Sequence, residues 1–356
     1  MSLSPWIEID SRALRHNLGV VRRQAPGSKI MAVIKANAYG HGVLPVARAL
    51  SEADSFAVAR VEEGLELRAA GVEKPLLVLA GAHDADELTA AAAAGLELVV
   101  HHVFQISLLK EASLPAPVAV WLKVDTGMNR LGVAPADAIG LLRELKELAS
   151  VAAVRGCLTH LANADDLGDD FTRVQLRRFR DAVAHAGVPL SMANSAGILG
   201  WPESHGDWVR PGIMLYGASP FAAPVDALEP VMNFRSRLIS VKKVRAGEAV
   251  GYGGNWQAPE DMPLGVVAAG YADGYPREIP SGTPVLVNGR IVPLVGRVSM
   301  DTLMVDLREQ PDARPGDPVV LWGRGLPAET IAAAAGTIPY TLFCGIGGRV
   351  RRKVAD

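Results

Sequence analysis

The chain predicts an α/β protein, a (β/α)8 barrel of the TIM type followed by a mostly β C-terminal domain. Between residues 29 and 210, apolar runs of strand length recur about eight times, each followed by a segment with helical spacing. That alternation favours a parallel sheet, and eight units favour a closed barrel over an open doubly wound sheet, which is the alternative. Chemically suggestive residues fall repeatedly at the C-terminal ends of these runs, where such barrels carry their sites. Past about Phe221 the texture changes to short alternating runs broken by Gly and Pro, as expected of a β domain. The expected division is 1–228 for the barrel and 229–356 for the β-rich domain, with residues 5–10 able to pair with the latter.

Taken in order, Trp6 to Ile9 alternates like a short strand, and Asp10 is placed to cap a helix running through about Arg23. Barrel strands are expected near 29–35, 54–59, 75–80, 96–101, 117–124, 154–160, 189–194 and 207–210. Helical spacing marks Val61–Ala70, Asp84–Ala94 and Asp137–Leu148. In the second domain, strands are expected at Arg235–Val241, Leu264–Ala269, Pro284–Val287, Ile291–Val295, Thr302–Asp306 and Pro318–Leu321, with a helix at Glu329–Ala335.

Composition narrows the function. Charge is nearly balanced, 36 Lys and Arg against 38 Asp and Glu, with no basic block to mark a nucleic-acid or membrane-surface protein. A small polar ligand is the expected partner. No apolar stretch is long enough to span a bilayer, and MSLSPWIEIDSR lacks a secretory layout, so the cytoplasm is the expected compartment. Cys157 and Cys344 offer neither a disulfide framework nor a metal site, and both read as structural.

The chemistry centres on KIMAVIKANAYGHG, Lys29 to Gly42. Ile30 to Ile34 is a continuous apolar run suited to a buried parallel strand, and it delivers Lys35 to a turn of small residues. A lysine in a partly apolar pocket loses affinity for its proton and becomes a nucleophile able to form a Schiff base. Other strand ends carry Lys123, Thr159-His160, Asn194-Ser195 and Arg210-Pro211-Gly212. Loops after the seventh and eighth barrel strands often hold phosphate through free backbone N–H groups, which makes Ser195 and the Arg210-Pro211-Gly212-Ile213 stretch phosphate candidates.

KANAYGHG resembles the pyridoxal-phosphate attachment signature of alanine racemases. LKVDTGMNRLG (Leu122 to Gly132), GYADGYPR (Gly270 to Arg277), GRVSMD (Gly296 to Asp301) and Ile338-Pro339-Tyr340 extend the resemblance over nearly the whole chain, from Ile7 to Arg351. It implies interconversion of L- and D-alanine by a two-base route through an external aldimine, with Lys35 serving one face of Cα. Tyr271, from the second subunit of a head-to-tail homodimer, would serve the other face. Pyridoxal phosphate would be held by Lys35, Tyr39, His160, Asn194, Ser195, Arg210, Gly212, Ile213 and Tyr340. In this picture Arg210 faces the pyridine nitrogen and His160 stacks on the ring and contacts the second base. Arg130 and the backbone N–H of Met300 would bind the substrate carboxylate, and Lys123 would be carbamylated, an anion orienting Arg130. Leu161 stands where phenylalanine is common and Ser299 replaces a common cysteine, both minor departures. A broad-specificity amino-acid racemase would keep every motif. A non-catalytic pyridoxal-phosphate carrier would lack the β domain and its tyrosine, and a D-amino-acid aldolase would need a metal site, for which no convincing His/Asp cluster stands out.

Overall fold

Strand β1 (Trp6–Asp10) runs directly into the helix Ser11–Gln24, because the Asp10 carboxylate accepts hydrogen bonds from the N–H groups of Arg12 and Ala13 at 2.9 and 3.1 Å. These elements come from a computed structural model that describes residues 4–355. The next eight strands are β2 (Lys29–Val33), β3 (Ser55–Val58), β4 (Leu76–Val78), β5 (Glu97–Val100), β6 (Val118–Lys123), β7 (Val151–Leu158), β8 (Leu190–Ser191) and β9 (Trp208–Val209). All pair in parallel, and the ring closes where Lys29 and Ile30 of β2 meet Trp208 and Val209 of β9. Their apolar side chains fill the barrel: Met31, Phe56, Leu77, Val99 and Leu122 are buried.

Most of the barrel strands are shorter than their sequence suggests, β4 keeping three residues of the expected six, and three of the shortened ends shape the site. β2 stops at Val33, so Lys35 does not end a strand but begins the short segment Lys35–Tyr39. β8 and β9 keep two residues each, against the expected 189–194 and 207–210. Apolar pattern carries on past the point where the backbone must leave the sheet: Asn194 turns to cap the helix Ser195–Gly200, accepting from Gly197 N–H at 2.9 Å. Hydrogen bonds from Arg210 N–H to the Ala193 carbonyl and from Val33 N–H to the Pro211 carbonyl, both 2.9 Å, continue the pairing beyond the regular strands.

The second domain is built on β10 (Met232–Val244), a 13-residue strand longer than the expected Arg235–Val241. After a small ribbon of β11 (Ala249–Val250) and β12 (Trp256–Gln257), the sheet continues through β13 (Met262–Val267), β14 (Pro284–Val287), β15 (Arg290–Val295), β16 (Leu303–Asp306) and β17 (Pro318–Trp322), ending with β18 (Arg351–Ala355). Strands β13, β16, β15, β14, β17 and β10 follow one another in space, and β13 also pairs with β10, so they close into a second, antiparallel ring. β1 lies between β10, antiparallel, and β18, parallel, which brings the first and last described strands together in this sheet. The ribbon, β18 and the helix Pro339–Cys344 are additions to the expected elements. A continuous apolar core runs from the barrel into the second domain, including Ile7, Tyr216, Phe234, Tyr275 and Trp322. No helix among the described residues is long and apolar enough to cross a membrane.

Candidate active site

Lys35 stands at the start of an unusual turn. Ala36, Asn37, Ala38 and Tyr39 have φ of 52°, 51°, 53° and 52°, one left-handed turn made without glycine. Each such residue costs about 1–2 kcal/mol, so the surroundings must over-determine it. Glu63, on the neighbouring helix, accepts from Ala36 N–H and Ala59 N–H, both at 2.6 Å. Asn37 Oδ1 accepts from Val43 N–H at 2.7 Å, and the buried His41 donates from Nδ1 to the Tyr39 carbonyl at 2.8 Å. Gly40 closes the turn at φ 76°, where a Cβ would sit 2.0 Å from the carbonyl oxygen of Phe343. The turn therefore packs directly against the helix that carries Tyr340.

Lys35 and Tyr39 both line a cavity of about 580 Å3 at the C-terminal mouth of the barrel. Lys123, Arg130 and His160 join them from the ends of β6 and β7. Asn194, Ser195, Arg210, Gly212 and Ile213 come from the loops after β8 and β9, and Tyr340 from the second domain. Tyr271 and Met300 do not reach this cavity within one chain; they stand on the second domain, 38% and 52% exposed.

The cavity is electropositive, with no Asp or Glu among the described residues lining it. Burial, then the charge of Arg130, holds the Lys35 amine below its ordinary range. The Lys123 amine is lowered to about 8, first by burial and then by Arg210 and Arg130. Arg210 is buried, yet its partners are the Ser191 hydroxyl (2.7 Å), the carbonyls of Thr159 and Met192, and His160 Nδ1 at 3.4 Å. It is therefore no structural ion-pair arginine, although burial lowers it to about 10, still cationic at neutral pH. Burial and the neighbouring Arg210 hold His160 neutral, and Nδ1, facing the guanidinium, must be its acceptor nitrogen.

At the other end lie hydroxyls. Ser195 Oγ accepts from Gly212 N–H at 2.9 Å, and a Cβ on residue 212 would meet the Tyr39 hydroxyl at 2.6 Å, so glycine keeps this corner open. Burial raises the Tyr39 hydroxyl and pushes that of Tyr340 up to about 12, leaving both as neutral donors. Cations at one end and neutral donors at the other, with no competing acid, suit a ligand that is anionic at several positions. Pyridoxal phosphate bearing an amino acid is such a group, and the residues present fit it.

The sequence did not single out Glu63, and Cys344, read there as structural, instead lines the cavity. Glu63 is legible only as the third residue of a helix start, a cap signal, while its reach to Ala36 is tertiary. Cys344 lines the cavity with Tyr340, four residues earlier on the same helix, a spacing that could have revealed it once the helix was recognised.

Fold and site together define an enzyme with a lysine-bearing, anion-binding pocket at the top of a (β/α)8 barrel, followed by a closed β domain. The family model described as alanine racemase, N-terminal domain, matches residues 9–220, and that of the C-terminal domain matches residues 231–354. The alanine racemase of Aeromonas hydrophila is 52% identical over 346 residues, covering 96% of this chain and 97% of that protein. The crystal structure of the biosynthetic alanine racemase from Pseudomonas aeruginosa superposes with a TM-score of 0.95 at 42% identity, covering 100% of both chains. That of the Bartonella henselae alanine racemase with covalently bound pyridoxal phosphate does so with a TM-score of 0.89 at 30% identity, covering 99% of this chain and 100% of that one. The chain belongs to the alanine racemase family and is an isomerase of that family.

Proposed function

We propose that the protein interconverts L- and D-alanine with pyridoxal phosphate bound to Lys35, as a homodimer in which Tyr271 and Met300 enter the partner's cavity. The observation that carries this reading is the gathering of Lys35, Arg130, His160, Arg210, Ser195 and the two tyrosines around one cavity free of acids. The same reading makes the enzyme a cytoplasmic source of D-alanine for peptidoglycan.

When bound, pyridoxal phosphate supplies an electron sink that acidifies the Cα–H of an attached amino acid. Its phosphate would be held by the hydroxyls of Tyr39, Ser195 and Tyr340 and the N–H of Ile213, with Gly212, whose own N–H goes to Ser195 Oγ, leaving the room and Asn194 setting the helix that presents Ser195. Arg210, fixed by Ser191 and Thr159, would face the ring nitrogen as a donor, so that nitrogen is not protonated and the sink stays weak. Lys35, its amine lowered by burial, holds or releases a proton on one face of Cα. Tyr271 does so on the other, with His160 Nε2–H free to donate to its oxygen because Nδ1 is engaged by Arg210. Arg130 and Met300 N–H bind the carboxylate, and a carbamate on Lys123 would orient Arg130. The β domain laid over the mouth excludes water.

Loss of circular dichroism from L-alanine, compared with L-serine and L-lysine, tests the activity and its breadth; equal rates on all three would move the reading to a broad-specificity racemase. Enantiomers have equal free energy, so any variant must lose kcat/KM equally in both directions. The two faces are separated instead by hydrogen exchange in D2O. In Tyr271→Phe, D-alanine should still exchange its α-proton through Lys35, while L-alanine should not. Exchange of L-alanine at the parent rate would overturn the two-base assignment.

A further inference from the structure

Tyr271 and Met300 lie on different loops, and the structure joins those loops into one unit. Tyr271 N–H donates to the Ser299 carbonyl at 3.1 Å, and Ala272 N–H to the Met300 carbonyl at 3.0 Å. A Cβ at residue 270 would lie 2.3 Å from both the Ser299 and Met300 carbonyl oxygens, so the loops meet only because that residue is glycine. The buried Asp273 accepts from Gly270 N–H at 2.9 Å, closing the tyrosine turn on itself. Arg349, arriving just before the last strand, grips Asp273 with both arms of its fork, Nε to Oδ1 at 2.7 Å and Nη2 to Oδ2 at 3.0 Å. The same Nη2 lies 2.7 Å from Oδ1 of Asp301. One guanidinium thus holds an acid two residues past Tyr271 and an acid one residue past Met300. Planar, bidentate recognition of this kind fixes angle as well as distance, which an ammonium cannot do. On the other side, the Arg277 guanidinium covers the Tyr271 ring, 5.4 Å from its centroid, and donates to the Val298 carbonyl at 3.2 Å.

We propose that Arg349 is a positioning residue of the racemase: by bridging Asp273 and Asp301 it sets the spacing between the Tyr271 hydroxyl and the Met300 N–H. The proton-handling group and the carboxylate donor then enter a site at fixed separation. The inference rests on the roles proposed above for Tyr271 and Met300.

The test compares the dimeric holoenzyme with Arg349→Gln, Arg349→Lys and Asp301→Asn, measuring kcat, KM and α-proton exchange of each enantiomer, alongside thermal midpoint and sedimentation. In Arg349→Gln, kcat/KM should fall about tenfold or more, KM for alanine should rise, and L-alanine exchange should fall several times further than D-alanine exchange. Arg349→Lys, which keeps the charge without the fork, should recover part of the KM and little of the exchange ratio. Asp301→Asn should raise KM and leave the exchange ratio near that of the parent. Kinetics within twofold of the parent in Arg349→Gln, or losses that leave the L-to-D exchange ratio unchanged and follow the fraction unfolded or monomeric, would overturn the proposal. Should Arg349→Gln fail to fold, Arg349→Lys carries the same test. Tyr271→Phe distinguishes the two levels: if it leaves L-alanine exchange intact the two-base reading falls, whereas a clear effect there with none in the Arg349 variants removes only this inference.

Discussion

Lys123 shows most directly how burial and neighbouring charge shape this cavity. With Arg210 and Arg130 nearby, its amine is lowered from 10.5 to about 8, a penalty of roughly 3 kcal/mol on the charged form. A lysine titrating lower in the folded than in the unfolded chain costs stability below the folded value, and the cost is relieved as pH rises from about 8 toward 10.5, where the unfolded chain binds more protons. Cofactor-free, CO2-free protein should therefore gain stability over that window. Lys123→Met should raise the thermal midpoint at pH 7 and flatten the rise; a lower midpoint would contradict the assignment. Carbamate formation consumes the neutral amine, so with labelled bicarbonate a carbamate 13C signal should grow as pH passes about 8 and vanish in Lys123→Met. Absence of any carbamate signal across that range would leave Arg130 facing an ordinary lysine. Lys123 and Arg130 could be singled out in sequence as like charges in one segment, but their shared cavity wall depends on β6 and the loop after it closing together.

At the scale of the element, the left-handed turn after Lys35 is held by parts of three others: the helix bearing Glu63, the helix Pro339–Cys344, and β18, whose Arg352 donates to the Gly40 carbonyl at 3.0 Å. Gly40→Ala would force a Cβ to within 2.0 Å of the Phe343 oxygen at a positive φ, and should cost roughly 3 kcal/mol, read as a fall in thermal midpoint. A neutral result would mean that the helix and Tyr340 can shift freely. Glu63→Gln keeps one acceptor oxygen where two now serve the N–H groups of Ala36, on Oε1, and of Ala59 and Arg60, on Oε2. It should raise amide hydrogen exchange at Ala36 to Gly40 in the cofactor-free protein, and unchanged protection would show that Glu63 is dispensable to the turn. The glycines and small residues of KANAYGHG advertise close packing in the sequence. The handedness does not appear there, because alanine and asparagine are ordinary helix or loop residues until Glu63, His41 and Phe343 are in place around them.

For the whole molecule, the two rings of strands account for Tyr271 and Met300 standing outside their own chain's cavity. If each cavity borrows them from a partner, two inactive proteins, Lys35→Ala and Tyr271→Phe, should regain activity when mixed and allowed to exchange subunits. Half the dimers would be hybrids with one complete site of two, giving about a quarter of the parent activity. No recovery, with subunit exchange verified, would rule out donation across the interface.

Local pattern determined the strand-then-helix rhythm, the change of texture after the barrel and the lysine in its small-residue turn, because alternation, apolar runs and turn composition act over a few residues. The tertiary structure decided what depends on distant segments meeting. Strands β8 and β9 stop early to free Asn194 and Arg210, Glu63 reaches across to Ala36, Cys344 enters the cavity beside Tyr340, and Arg349 bridges two acids 28 residues apart. Side chains from separate parts of the chain share hydrogen bonds and electrostatic fields only once folding has brought them within a few ångströms, and no local spacing encodes that.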